Sequence, residues 1–301
     1  MKNKLLMPLN RDRYRKKTYW YQPRGKDMTY ILGARCVDGV VLVGDTKVTI
    51  EEGADYAYAK KIQPPLTTVV MGSSGMGGLY KDFQNRIISA IVHMEKKAQM
   101  EMGSPTPIAV ITREEEFSVL VSKVIREMHQ DYDEDRHLII SNLMIISAMR
   151  IGTPFAQLTV FSPYGFPEPV NEKRAIGHGE PYGALFLKKM WRKDMTMEEA
   201  AKLGIFIIKF IQDMQLDNSV GFNQEYLPQV FYIPDLKIPI GFDKTLKDCK
   251  TQEESDHVWF DLYNKYPIRE LPSEDVQHFI NEVGTKIYDF ENLFRQGQFK
   301  I

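Results

Sequence analysis

The sequence predicts an α+β fold, a four-layer αββα sandwich with a helical C-terminal extension. Three observations carry this. Strand and helix signals arrive in groups: strands, two helices, strands, two helices, strand. Within each group there is little room for the crossovers that parallel pairing needs, so the sheets should be mostly antiparallel. The helices are apolar along one face, which lets each pair cover the outside of a sheet.

The elements follow in order. MTYILGARCVDGVVLVGD, residues 28–45, reads as strand, turn, strand: two apolar, β-branched runs (30–37 and 40–45) joined at Asp38-Gly39, a hairpin dipeptide. TTVVMGSSGMGG (67–78) is a strand running into a glycine-rich turn. The helix after it carries Leu79, Phe83, Ile87, Ala90, Ile91 and Met94 on one face. IAVIT (108–112) is either extended or already a helix start. Thr112 and Glu115 can form a capping box ahead of Phe117, Leu120, Val121, Val124 and Met128. Strands are expected at 138–149 and 156–163, then the turn PYGFPEP and a short strand ending at RAIGHG (174–179). Of the next two helices, the second opens on a Thr196/Glu199 capping box and has AAKLGIFIIKFI as its apolar body. PQVFYI (228–233) is the final strand. The tail, 236–301, is more polar and ends in an amphipathic helix with Val276, Phe279, Ile280, Val283, Ile287, Phe290 and Phe294 on one stripe and Ser273 as its cap. It is a small accessory domain or a clasp on the main body.

Composition narrows the function classes. With 301 residues, 43% apolar and 26% charged, the chain is long enough for one large domain with an appendage, or for two. The net charge of −1 implies no global attraction to nucleic acid or membrane. Charge is uneven, however: residues 1–28 hold nine Lys/Arg against Asp12 and Asp27, leaving the remainder acidic. Basic residues interleaved with Tyr14, Tyr19, Trp20 and Tyr21 can bind nucleic acid, but the plainer reading of this leader is a solvated extension or a segment packed on a neighbouring subunit. Cys36 and Cys249 give neither a disulfide framework nor a CxxC metal spacing, and a reducing cytoplasm fits them. The six histidines show no HxxxH or HExxH, so no zinc site is expected. No run of eighteen apolar residues is present, and LLMPL is too short for a signal h-region.

Familiar catalytic signals are missing. GSSGMGG lacks the GK[ST] of a phosphate-binding loop, and Met76 stands where a nucleophile elbow needs its last glycine. No cofactor motif is present. What remains is a spaced set: Thr29, Asp45, Lys61 and Gly75. With Gly33, DGVVL at 38–42 and the pair Lys61-Ile62, this set resembles the proteasome subunit superfamily of N-terminal nucleophile hydrolases, its β-type catalytic subunits above all. LTVFSPYG (158–165), RAIGHG and DNSVG (217–221) are similar to three further motifs of that family, so the resemblance covers roughly residues 29–235.

The resemblance implies a threonine nucleophile freed by removal of residues 1–28. The new α-amine would serve as base, Lys61 would favour the ionised hydroxyl, Asp45 would hold Lys61, and the Gly75 N–H would face the oxyanion. His178 and Asp217 fall at the positions that support the amine. Val48, Ala59, Ser73 and Gly77 would line a roomy substrate pocket. The implied partners are a peptide or protein substrate and further copies or related subunits in a ring. Three positions depart from the family pattern. Met28 precedes the threonine where glycine is usual, His178 stands in place of a serine, and Val220 replaces another serine beside Ser219. Two readings therefore stand: a threonine-type hydrolase or acyl transferase made as a precursor, and a non-catalytic proteasome-like subunit that keeps its leader for assembly or binding. A nucleic-acid-associated protein acting through the leader is a weaker third.

Overall fold

The computed structural model describes residues 29–49, 56–66, 69–75, 77–102, 114–132, 142–147, 155–162 and 164–295. The leader, the 108–112 segment, Thr112 of the expected capping box and both ends of the 138–149 stretch lie outside them.

The opening hairpin pairs β1 (Ile31–Arg35) with β2 (Gly39–Gly44), antiparallel from Ile31↔Gly44 to Arg35↔Val40. Its turn sits one residue earlier than the Asp38-Gly39 joint. The Cys36 N–H donates to the Gly39 carbonyl at 2.7 Å, so Val37 and Asp38 form the bend. Gly39 is required by packing instead: a Cβ there would lie 2.3 Å from the Ile233 carbonyl oxygen of a neighbouring strand. The Asp38 carboxylate accepts the Met197 N–H at 2.8 Å, tying the turn to the head of a helix.

The stretch 46–66 carries no clear strand pattern, yet it forms three strands. β3 (Lys47–Thr49) and β4 (Tyr56–Tyr58) make a two-stranded ribbon. β5 (Ile62–Leu66) contains Pro64 and Pro65 and pairs irregularly with β6 (Val69–Ser74), as prolines permit only on an edge strand. Then come α1 (Gly77–Met102), α2 (Glu114–Asp131), β7 (Asn142–Ser147), β8 (Gln157–Phe161), β9 (Pro167–Pro169), β10 (Lys173–Ile176), α3 (Glu180–Met190), α4 (Met197–Asp213) and β11 (Gln229–Pro234). The tail adds α5 (Phe242–Asp248), α6 (Gln252–Asn264), β12 (Arg269–Glu270) and α7 (Ser273–Arg295).

Two five-stranded sheets result, ordered β10-β1-β2-β11-β12 and β5-β6-β7-β8-β9, and every described strand pair is antiparallel. Alternate residues of one strand enter different apolar clusters. Ile31, Val40 and Leu42 join Ile62, Val70, Leu158 and Val160 from the other sheet. Tyr30, Leu32, Val41 and Val43 pack on α4 residues such as Ile205 and Ile208. Val69 and Met71 pack against Phe83 and Ile87 of α1 and Phe117, Val121 and Met128 of α2. Burial on both faces explains why these strands read as continuous apolar runs rather than alternating ones. Met94, expected on the buried face of α1, is partly exposed.

α4 opens on the expected capping box. Thr196 Oγ1 accepts the Glu199 N–H at 3.2 Å, and the Glu199 carboxylate accepts the Thr196 N–H at 2.9 Å. PQVFYI is not the last strand, because β12 adds to its free edge at Phe231↔Glu270 and Tyr232↔Arg269. α7 sets Val276, Phe279, Ile280 and Val283 into the cluster that holds α4. Its first helical residue is Ser273, and the Pro272 carbonyl accepts the Val276 N–H at 3.1 Å, so the cap position falls one residue before the serine. A separate small cluster joins Leu236, Phe242, Trp259 and Leu262.

Candidate active site

Thr29 sits just before β1 and is 4% exposed. Its peptide with Tyr30 is held from both sides. The Gly179 N–H donates to the Thr29 carbonyl at 3.1 Å, and the Tyr30 N–H donates to Asp45 Oδ1 at 2.8 Å. The loop from β10 to α3 can come this close because Gly177 has φ +97° and no side chain; a Cβ there would lie 2.2 Å from the Thr29 oxygen.

Asp45 directly follows β2 and is fully buried. Its Oδ1 also accepts Lys61 Nζ at 2.8 Å, and its Oδ2 accepts the Gly221 N–H at 3.2 Å. Lys61 directly precedes β5 and is 7% exposed. A carboxylate and a lysine sixteen residues apart in sequence thus meet where the two sheets face each other. Burial pushes the Lys61 ammonium below the usual lysine range; Asp45 pulls the other way and does not overcome it. Burial likewise pushes the Asp45 carboxyl up, against Lys61 and the two N–H donors.

Gly75 follows β6 at φ +139°, a backbone region that favours glycine, two residues before the N-terminus of α1. Among the expected pocket residues, Val48 lies on β3 opposite Ala57, and Ala59 donates its N–H to the Thr46 carbonyl at 2.9 Å. Ser73 is a buried residue of β6, and Gly77 is the first residue of α1. A hollow of about 360 Å³ lies elsewhere, at the far end of β1, lined by Arg35, Cys36, Trp191 and Lys193 among others.

His178 and Asp217 come together. Nδ1 lies 2.5 Å from Asp217 Oδ2, with the imidazole side chain 41% exposed and the carboxylate buried. Ser219 donates to Asp217 Oδ1 through both its hydroxyl and its N–H. Burial works to raise the Asp217 carboxyl, but Ser219 and His178 together hold it below the usual carboxylate range. Ser219, one residue before Val220, carries the hydroxyl that binds Asp217, while Val220 itself is buried.

Two residues absent from the expected set are tied to it. Gly221 also accepts the Thr46 and Lys47 N–H groups at 3.1 and 3.0 Å through its carbonyl. Gln229 binds the backbone of Lys61 and Ile62. The DNSVG motif pointed to the first; no signal in the sequence marked the second.

Paired antiparallel sheets with helices packed on them define the class: a proteasome-like α+β fold. Residues 27–225 match the proteasome subunit family, and the chain belongs to it. It is similar to the proteasome subunit alpha of Pyrococcus abyssi (strain GE5 / Orsay), 26% identical over 180 residues, 59% of this chain. That match spans 61% of the relative's length. Among solved structures, Anbu (ancestral beta-subunit) from Yersinia bercovieri superposes with a TM-score of 0.58 at 16% identity, covering 89% of this chain and 97% of that one. An Anbu (Gly-1) mutant from Hyphomicrobium sp. strain MC1 gives 0.57 at 18%, covering 91% and 97%. These two share the fold.

Proposed function

We propose that the chain is a β-like threonine hydrolase of the proteasome family, acting on peptide or amide bonds after residues 1–28 are removed as a propeptide. The observation that carries this is the buried Lys61–Asp45 contact, hydrogen-bonded through Tyr30 to the strand that begins at Thr29. A buried ion pair is a poor way to stabilise a fold, so its link to the backbone next to Thr29 favours a chemical role.

In this reading the freed α-amine, with an ordinary pKa of about 7.7–8.0, takes the Thr29 hydroxyl proton through a water as Oγ attacks the amide carbon. Lys61 keeps positive potential near that oxygen, and the carbonyl oxygen takes up negative charge facing the Gly75 N–H and the α1 dipole. The C–N bond then breaks, the leaving amine takes the proton, and an ester on Thr29 remains. Water hydrolyses the ester and returns the hydroxyl proton; an amine acceptor in place of water gives acyl transfer. His178 and Asp217 orient the amine and its water. Val48, Ala59, Ser73 and Gly77 form the pocket for the side chain before the cut.

The same reading takes 29–235 as the hydrolase domain and 236–301 as an extension of it. Its layers are ordered helix, sheet, sheet, helix, an order supported by the three apolar clusters. The working form is a ring-type oligomer of this chain or of related subunits, in the cytoplasm. No described helix is long and apolar enough to cross a membrane.

A second reading keeps the leader and makes the chain a non-catalytic assembly subunit. Met28 ahead of Thr29 favours it, as does the α designation of the Pyrococcus relative. Intact mass of the purified protein separates the two. A species beginning at Thr29, absent from Thr29→Ala, supports the hydrolase; a full-length mass shared by both proteins removes it.

A further inference from the structure

Gln229 is the first residue of β11, is 4% exposed, and stands opposite Gly44 in the β2 register, next to Asp45. Its strand belongs to one sheet, but its side chain reaches the other. Oε1 accepts the Lys61 N–H at 2.7 Å and the Ile62 N–H at 2.8 Å, while Nε2 donates to the Ile62 carbonyl at 2.9 Å. One primary amide thus satisfies three buried backbone groups where the chain enters β5. Left unpartnered, those groups would each carry a desolvation cost.

We infer that Gln229 is a positioning residue for Lys61, which rests on the reading of Lys61 as part of the reactive centre. The reach of the lysine side chain to Asp45 depends on where its own backbone lies. The Ile62 side chain fixes one side of this join: a Cβ on Gly44 would lie 2.8 Å from Ile62 Cδ1, so no slack exists there. Gln229 fixes the other side, and it does so from the strand paired with the one that leads into Asp45. Both members of the ion pair are thereby referenced to the same pair of strands. Glutamine suits the task because one oxygen can accept two N–H groups while the nitrogen donates. Asparagine is a methylene too short, methionine offers no such bonds, and glutamate keeps the acceptors but loses the donor.

The test is the full chain carrying Gln229→Met, followed by two readouts. The first is turnover of a peptide amide: kcat should fall roughly tenfold to a hundredfold with KM essentially unchanged, and the pH profile should move. The second is independent of turnover. In ¹⁵N-lysine-labelled protein, the Lys61 ammonium signal, identified by its loss in Lys61→Ala, should disappear or shift in Gln229→Met. A folded Gln229→Met protein with the parent's kcat and the parent's Lys61 signal would overturn the proposal. If the parent shows no turnover, the hydrolase reading fails by itself and the ammonium signal alone decides for Gln229. If Gln229→Met does not fold, Gln229→Glu takes its place. Its carboxylate retains both acceptors and should move the Lys61 titration upward; an unmoved titration overturns the proposal.

Discussion

Asp45 and Lys61 are where physical chemistry and proposed function meet. Replacing Lys61 with methionine keeps its volume but leaves the Asp45 carboxyl buried without its cation. Turnover should be lost, and stability should drop by about 3–5 kcal/mol near neutral pH. The loss should be smaller in acid. A carboxyl whose folded pKa is raised binds more protons folded than unfolded, so stability falls as pH rises through that pKa. Chemical denaturation at pH 5 and pH 8 checks the sign: a loss in Lys61→Met that is larger at pH 5 contradicts it. Asp217 works the other way. Its folded pKa is depressed, so its contribution is complete above its ordinary value of 3.8 and is lost as pH falls through the lower folded pKa. The melting-temperature gap between the parent and Asp217→Asn should therefore shrink below about pH 4. At this scale the sequence was informative about identity and silent about support. Thr29, Asp45, Lys61 and Gly75 were expected from the resemblance to the proteasome family, and the structure joins Asp45 to Lys61 and to the Tyr30 N–H. Gln229 could not, because its partners lie 167 and 168 residues away.

Elements position these residues through close backbone approach. The loop from β10 to α3 passes over the Thr29 carbonyl only because position 177 lacks a Cβ at a positive φ. Gly177→Ala should cost about 1–3 kcal/mol from backbone strain and more from the clash. It should also move Thr29 enough to stop the proposed removal of residues 1–28, read by intact mass; a variant that matches the parent in forming a species beginning at Thr29 would show that the loop does not set the Thr29 geometry. The α4 cap is a separate case, away from the site. Thr196→Ala should cost about 1 kcal/mol in thermal unfolding and leave the proposed processing at Thr29 untouched, read by an intact mass like the parent's. Strongly periodic helices and the hairpin were legible because each carries its own local signal. The ribbon of β3 and β4 and the edge strand β5 were not. They are short, β5 is broken by prolines, and they are strands only because neighbouring elements supply their partners.

In the whole molecule, the tail is packed into the main body at two places. β12 lies along β11, and α7 covers α4 with Phe279, Ile280 and Val283. Ile280→Ala should cost about 2–5 kcal/mol and lower the midpoint of one cooperative transition that includes the β1–β2 hairpin. A tail that melts separately, with the hairpin unaffected, would show that the two unfold independently. Lys202 reinforces the junction, bridging to Glu282 at 2.9 Å and lying over the Phe279 ring.

By itself the sequence determined which residues stand in order along the chain: a threonine heading an apolar hairpin, an aspartate closing it, a glycine before a helix. These are local or nearly local properties, set by periodicity and turn chemistry. Only the tertiary structure decided which buried charges are paired, which carbonyl is clamped, and where the tail goes. Those outcomes depend on burial and on hydrogen bonds between residues far apart in the chain. A strand sequence carries its own alternation but not the side chain that will reach it from another sheet.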